Sequence, residues 1–346
     1  MRARSSWIFV GLCVVSAAVL GVVFWKSAPP AQQQVPVPVA IAEPTSPVPP
    51  ETVPAAVPTN RIFFRSTNPE SHYGQLAYVE YPGPLTPQYL NQWNCEVVYA
   101  TAGKGSCLTA DRGVFTTYAM DVFDSRNFKK LFSVPLSGIP SRTRVSRNGK
   151  FAAVTVFVTG HGYDSVDFQT QTSLIDTSTG KVIADMESFA VTKDGMPFAE
   201  KDFNFWGVTF APDNNRVYST LSSNRKHYLI EGSIQARTAR VIHENVECPS
   251  ISPDATRVAY KKRLPGDRVI WQLHILDLKT LAETSLAERR SVDDQLEWLD
   301  DGQVLYSLPH NEAQSGPSTD VWVAPANGKG APRLFLANAY SPAVSR

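Results

Sequence analysis

The sequence predicts an all-β fold, a six-bladed β-propeller with four-stranded blades, preceded by a transmembrane helix and a Pro-rich stalk. Three observations predict it. The first is a tight turn that recurs as Ser146-Arg147-Asn148-Gly149, Ala211-Pro212-Asp213-Asn214, Ser252-Pro253-Asp254-Ala255 and Leu299-Asp300-Asp301-Gly302, spaced about 65, 41 and 47 residues apart. Pro, Asp, Asn and Gly supply the backbone angles such turns need, and each copy runs into a β-prone stretch such as Arg257-Val258-Ala259-Tyr260. The second is a strand ending in Asp and a turn, clear at Leu174-Ile175-Asp176 and Leu276-Asp277 and weaker from Val323 to Gly328. The third is the period: near 45 residues with four strands per unit is the repeat of a propeller blade. About 285 residues from Arg61 onward, divided by about 47, give six blades.

Residues 1–27 read as a membrane anchor or signal segment. Arg2 and Arg4 precede a run from Trp7 to Trp25, 19 residues without a charge, ended by Lys26. That length spans a hydrocarbon core as a helix, and the arginines favour a cytoplasmic amino terminus. A cleaved signal peptide is the competing reading, but its apolar run is usually shorter and ends at small residues; here Val22-Val23-Phe24-Trp25 closes the run. Residues 28–60 are rich in Pro, Val, Ala and Gln, with only Glu43 and Glu51 charged. Prolines forbid helix there, and extended chain at about 3.1 Å per residue makes a spacer of up to roughly 90 Å. The expected location is therefore a single-pass membrane protein with its propeller outside the cytoplasm, in the periplasm or at the cell surface.

The propeller occupies residues 61–346. Its clearest unit is 248–286, with strands expected at 248–252, 257–262, 269–276 and 283–286. Two degenerate blades precede it: one uses 61–65 and 74–81, the other 96–101, Leu108 and 115–124. The tail Ala339-Tyr340-Ser341-Pro342-Ala343 reads as the strand that closes the ring against the first blade, which removes an exposed sheet edge. Where the repeated turn favours Gly, this best blade has Ala255, which is strained if the position needs a positive φ.

At Pro249-Ser250-Ile251-Ser252-Pro253-Asp254, Arg257-Val258-Ala259-Tyr260 and Ile275-Leu276-Asp277-Leu278-Lys279-Thr280 the chain resembles the TolB-like propeller repeat. Phe210-Ala211-Pro212-Asp213 and Trp298-Leu299-Asp300-Asp301-Gly302 fit the same pattern more weakly. The resemblance implies a six-bladed propeller used for binding. The chain is not TolB itself: no α/β domain precedes the propeller, and the export segment reads as uncleaved.

The four cysteines differ in meaning. Cys95 and Cys107 bracket a hairpin with Gly103-Lys104-Gly105 at its turn, and a disulfide across it is expected outside the cytoplasm, the competing reading being two buried thiols. Cys248 reads as a small buried hydrophobe, and Cys13 as a lipid-embedded thiol.

Net charge is +1, so no electrostatic footprint for nucleic acid exists. No phosphate-cradling glycine loop, dinucleotide fingerprint, paired-histidine metal motif or G-x-S-x-G elbow occurs. Nothing indicates a cofactor or a metal site, and no catalytic residues are assigned. Loop lengths carry more. In a propeller the loops before the first strand and between the second and third strands emerge on one face. Three insertions fall there: 160–171, 188–204 (a small hairpin around Lys193-Asp194-Gly195) and 309–319. That face would collect His161, Tyr163, Asp164, Phe198, Asp202, Asn204, Glu247, Asp293, Asp294, His310 and Glu312. Adjacent Asp293 and Asp294 should point to opposite sides. Trp206, Trp271, Trp298 and Trp322 read as blade core. The expected function is non-catalytic binding of a cell-envelope protein, peptide or glycan; the alternative is a propeller hydrolase or lyase using these carboxylates, with bound Ca²⁺.

Overall fold

A computed structural model describes residues 61–101, 103–163, 168–310 and 318–346; the expected anchor and stalk, with Asp164 and Glu312, lie outside the described residues. Six sheets follow one another along the chain. Blade 1 holds β1 (Arg61–Ser66), β2 (Gln75–Glu80) and β3 (Gln88–Asn94). Blade 2 holds β4 (Val97–Thr101), β5 (Lys104–Arg112), β6 (Thr116–Asp124) and β7 (Lys130–Leu136). Blade 3 holds β8 (Ile139–Val145), β9 (Phe151–Thr159), β10 (Gln169–Asp176) and β11 (Val182–Asp185). A hairpin of β12 (Ala190–Lys193) and β13 (Met196–Phe198) then precedes blade 4, which is β14 (Asn204–Phe210), β15 (Arg216–Ser223), β16 (Lys226–Ser233) and β17 (Thr238–Glu244). Blade 5 is β18 (Glu247–Ile251), β19 (Arg257–Arg263), β20 (Trp271–Asp277) and β21 (Glu283–Ser285), and blade 6 is β22 (Glu297–Asp300), β23 (Gln303–Pro309), β24 (Thr319–Pro325) and β25 (Arg333–Leu336).

The last strand, β26 (Ala339–Ser345), closes the ring. It pairs antiparallel with β1, from Arg61↔Ser345 to Ser66↔Ala339, and becomes the inner strand of blade 1. Ring closure leaves each sheet covered on both faces. Six apolar clusters seal the six blade–blade interfaces: Phe63, Trp93 and Phe123 between blades 1 and 2, for example, and Trp298, Tyr306 and Leu273 between blades 5 and 6. This is why the strands read as continuous apolar runs rather than clean alternation; every residue of Phe205–Phe210 in β14 is buried. Trp206, Trp271 and Trp298 are buried as expected, while Trp322 is half-buried under the Arg290 guanidinium, 4.0 Å from its ring centroid.

The expected disulfide is present. Cys95 and Cys107 lie 5.3 Å apart at Cα and tie the residues ahead of β4 to β5. Cys248 is a buried free cysteine.

One expectation about the insertions is corrected. The 188–204 hairpin does not project freely over the channel mouth. β12 pairs in parallel with β17, so the hairpin widens blade 4 to six strands at its outer edge. The unpaired edge of β17 offers its backbone groups to β12, and Lys193 fastens the join by reaching Glu244 at 2.9 Å and the Tyr228 ring at 4.5 Å.

The repeated turns behave as their chemistry demands. Gly149, Asn214 and Ala255 occupy equivalent turn positions at φ of 67°, 57° and 58°. Asn tolerates this left-handed region, whereas Ala does not. Ala255→Gly is therefore expected to stabilise the protein by about 0.5–1 kcal/mol. Urea unfolding checks it; an unchanged or lower midpoint contradicts the strain argument.

Candidate functional site

The inner strands β4, β8, β14, β18, β22 and β26 surround the ring axis, and side chains from opposite blades meet there. Arg144 of blade 3 reaches across to Glu297 of blade 6 at 2.6 Å and to the Leu296 carbonyl at 2.6 Å. The pair is nearly sealed, with 6% and 3% of the side chains exposed. Arg346 reaches the same carboxylate at 3.3 Å. Three inner strands also carry a left-handed residue: Gly207 at φ 66°, Cys248 at 49° and Ser341 at 56°, each at a break in strand register. Only Gly fits the first, since a Cβ there would come within 2.7 Å of the Cys248 Cα. Such bulges re-aim backbone groups, and here the Val208 and Pro249 carbonyls accept from Gln295 Nε2 at 3.3 and 2.9 Å. Together these contacts plug the channel at mid-height.

Above the plug, on the inserted-loop face, lie two pockets. One, of about 400 Å³, sits over the axis and is lined by Arg65, Tyr73, Arg142, His161, Asp293 and Tyr340. The other, of about 910 Å³, lies between blades 3, 4 and 5 and is lined by residues that include Phe168, Lys201, Asp202, Arg225, His227 and Arg263. Tyr163 lines both. Its ring stacks on Trp206 with centroids 5.0 Å apart, and its hydroxyl meets that of Ser141 at 2.5 Å. Phe157 and Phe168 pack against the same ring. This aromatic wall is rigid by construction, because each ring is held by several others.

Beneath the wall is a charged layer. Lys261 is fully buried, pairs with Asp293, and lies 4.1 Å from the Trp271 ring centroid and 5.1 Å from that of Tyr163. Arg142 stands 3.7 Å from Asp293 and 5.2 Å from the Tyr163 ring centroid. Burial works against ionisation of Asp293, but Lys261 and Arg142 outweigh it and hold the carboxyl below its usual value. Glu247 is wholly buried and accepts from Arg263 Nε at 3.2 Å and Trp271 Nε1 at 2.9 Å. His227, 3.6 Å from Glu247, is held by burial below the ordinary imidazole value.

The structure therefore divides the expected site residues. His161, Tyr163 and Asp293 come together at the axial pocket, and Tyr163, Asp202 and Asn204 at the larger one. Asp202 pins a turn, accepting from the Ser223 hydroxyl at 2.7 Å and the Asn224 amide at 2.6 Å; burial opposes its ionisation, and those two bonds overcome it. Asn204 accepts from the Thr170 amide at 2.8 Å, joining blades 3 and 4. Glu247 lies under the floor, and Phe198 packs on Phe203 and Tyr228. Asp293 and Asp294 precede β22 and lie in no strand, and they take different partners: Asp294 is buried, accepts from the Gln295 and Ser307 amides at 2.8 Å each, and burial raises its pKa. His310 lines neither pocket and pairs with Asp320 at 2.7 Å. Among the described residues, then, Asp293 and Glu247 are paired with cations, while Asp202 and Asp294 are held by amide and hydroxyl donors. Among the described residues, no three His, Cys, Asp or Glu side chains gather where a metal ion would bind.

Sequence reasoning passed over Arg142, Arg144, Lys261 and Arg263. A signal existed. Arg142 and Arg144 alternate on a first strand, and Lys261 and Arg263 alternate at the end of a second one. Alternation puts each pair on one face, and first strands line the axis.

No family model matches the sequence, and no curated protein matches it. Solved structures do. The chain is similar to TolB from Acinetobacter baumannii, with 17% identity and a TM-score of 0.58, covering 83% of this chain and 67% of that one. It is also similar to a chain of a nidogen/laminin complex, with 9% identity and a TM-score of 0.51, covering 83% of this chain and 97% of that one. A putative TolB from Agrobacterium tumefaciens is matched at 9% identity and a TM-score of 0.49, over 82% of this chain and 91% of that one. The protein is thus a TolB-like six-bladed propeller in fold. At these identities the likeness speaks to fold alone.

Proposed function

We propose that the protein is a membrane-anchored propeller, displayed outside the cytoplasm, that binds a segment of a cell-envelope protein non-catalytically through its inserted-loop face. The observation that carries this reading is the pair of adjoining pockets that share Tyr163 as a wall. A rigid aromatic wall beside the exposed Lys201 and Arg225 and the half-buried Arg263 is the composition of a recognition surface. Among the described residues lining the larger pocket, Lys201, Arg225 and Arg263 stand against one carboxylate, that of Asp202. A partner segment carrying carboxylates fits that balance, and its charge would also speed encounter. The anchor of residues 1–27 and the stalk of 28–60 would hold the face at a distance from the bilayer.

The test is affinity capture from cross-linked cell envelopes. The Lys201→Glu, Arg225→Glu double variant is expected to lose at least about tenfold of the partner recovered by the parent, as two charge reversals at a polar contact do. Unchanged recovery with the folded variant contradicts the assignment of this face.

A further inference from the structure

The opposite face, where the tight turns emerge, holds a chamber of its own. Its volume is about 210 Å³, below the usual range for drug-sized ligands. Its roof is the Arg144–Glu297 pair that plugs the channel. Arg147 stands at the mouth: from the blade 3 turn its guanidinium reaches the blade 5 turn, donating to the Ser252 and Pro253 carbonyls at 3.1 and 2.6 Å. Arg346 enters from the side and Tyr99 lines the wall.

The charges in this chamber do not balance. Among the described side chains that line it, Arg144, Arg147 and Arg346 contribute three positive charges, and Glu297 is the one side-chain carboxylate. That carboxylate is spent: one oxygen accepts from Arg144, and the other faces Arg346 at 3.3 Å and Tyr99 at 3.5 Å. The nearby acids of the turns are committed elsewhere. Asp254 accepts from the Thr256 amide and the Ser252 and Thr256 hydroxyls, and Asp301 from the Asp254 amide. Arg144 is nineteen-twentieths buried, and its Nε has no partner among the described residues. A buried donor without a partner is costly, and forked guanidinium groups match oxyanions bidentately.

We infer that this chamber is a binding site for a small polyvalent oxyanion, with inorganic phosphate as the simplest case. Arg144 and Arg346 form its inner wall, and Arg147 closes over it. The site is independent of the inserted-loop face, so the anion would act by tying the blade 3, blade 5 and blade 1 ends together.

Isothermal titration of the purified full-length chain with inorganic phosphate, at ionic strength held constant with chloride, tests this. The expected result is saturable one-site binding and a rise in melting temperature that chloride does not reproduce. Arg147→Ala, which removes a half-exposed mouth residue, should weaken binding at least tenfold while leaving the circular dichroism spectrum unchanged. Citrate tests the alternative source of the same chemistry: citrate binding that Arg147→Ala weakens, with no phosphate binding, keeps the site and assigns it to a polycarboxylate. Absence of binding for both anions, or equal binding by parent and Arg147→Ala, overturns the inference.

Discussion

Glu297→Gln is expected to lower the stability of the propeller by about 3–5 kcal/mol, the usual cost of stripping one partner from a buried ion pair. The substitution keeps shape and removes charge. Arg144 would then sit 94% buried without the carboxylate that pairs with it, and Arg346 would lose the same partner. The pair crosses the ring between opposite blades, so its loss is felt by the closure of the whole propeller rather than by one sheet. Urea unfolding measures it. The companion variant matters as much: Arg144→Met combined with Glu297→Met removes both charges, and such replacements are often neutral. The double variant should recover more than half of the loss. A loss under about 1 kcal/mol for Glu297→Gln, or no recovery in the double variant, means the pair does not hold the plug.

The second large effect belongs to the disulfide. Cys95→Ala with Cys107→Ala should cost about 3 kcal/mol, the chain-entropy value for a loop of this length; the sequence separation is 12. Both residues are 0–1% exposed, so reductant reaches them slowly and the variant is the cleaner experiment. The bridge holds the start of β4, an inner strand, to its neighbour β5. It anchors a blade whose sequence departs far from the repeat. Equal unfolding midpoints for parent and variant contradict that role.

The parts of the fold visible in the sequence were those set by local chemistry. Turns such as Ser252-Pro253-Asp254-Ala255 announce themselves because Asp254 accepts from the Thr256 amide next to it, and the closing strand showed itself at Ala339–Ala343, within the observed β26, because a ring must end against its beginning. The candidate site was legible only in outline. Loop lengths located the face, since insertions are tolerated where no blade contact is broken. The residues at its base were not legible, because their meaning lies in partners far along the chain. Arg144 and Glu297 are 153 residues apart, and Lys261 and Asp293 are 32 apart. A charge in an inner strand looks like a solvent residue until the opposite blade is in place. Asp202 and Asn204 carry a second role that no loop length announces: both line the larger pocket, and both also fasten its rim to blades 3 and 4 through Ser223 and Thr170.

The central claim is that the inserted-loop face meets the partner and the turn face does not. A photoreactive residue placed at Val158, exposed on the rim of the larger pocket, should give a discrete cross-linked adduct in intact cells. The same residue at Asp213, in a tight turn of the opposite face, should give none. Adducts from Asp213 alone, or none from Val158, would contradict the account.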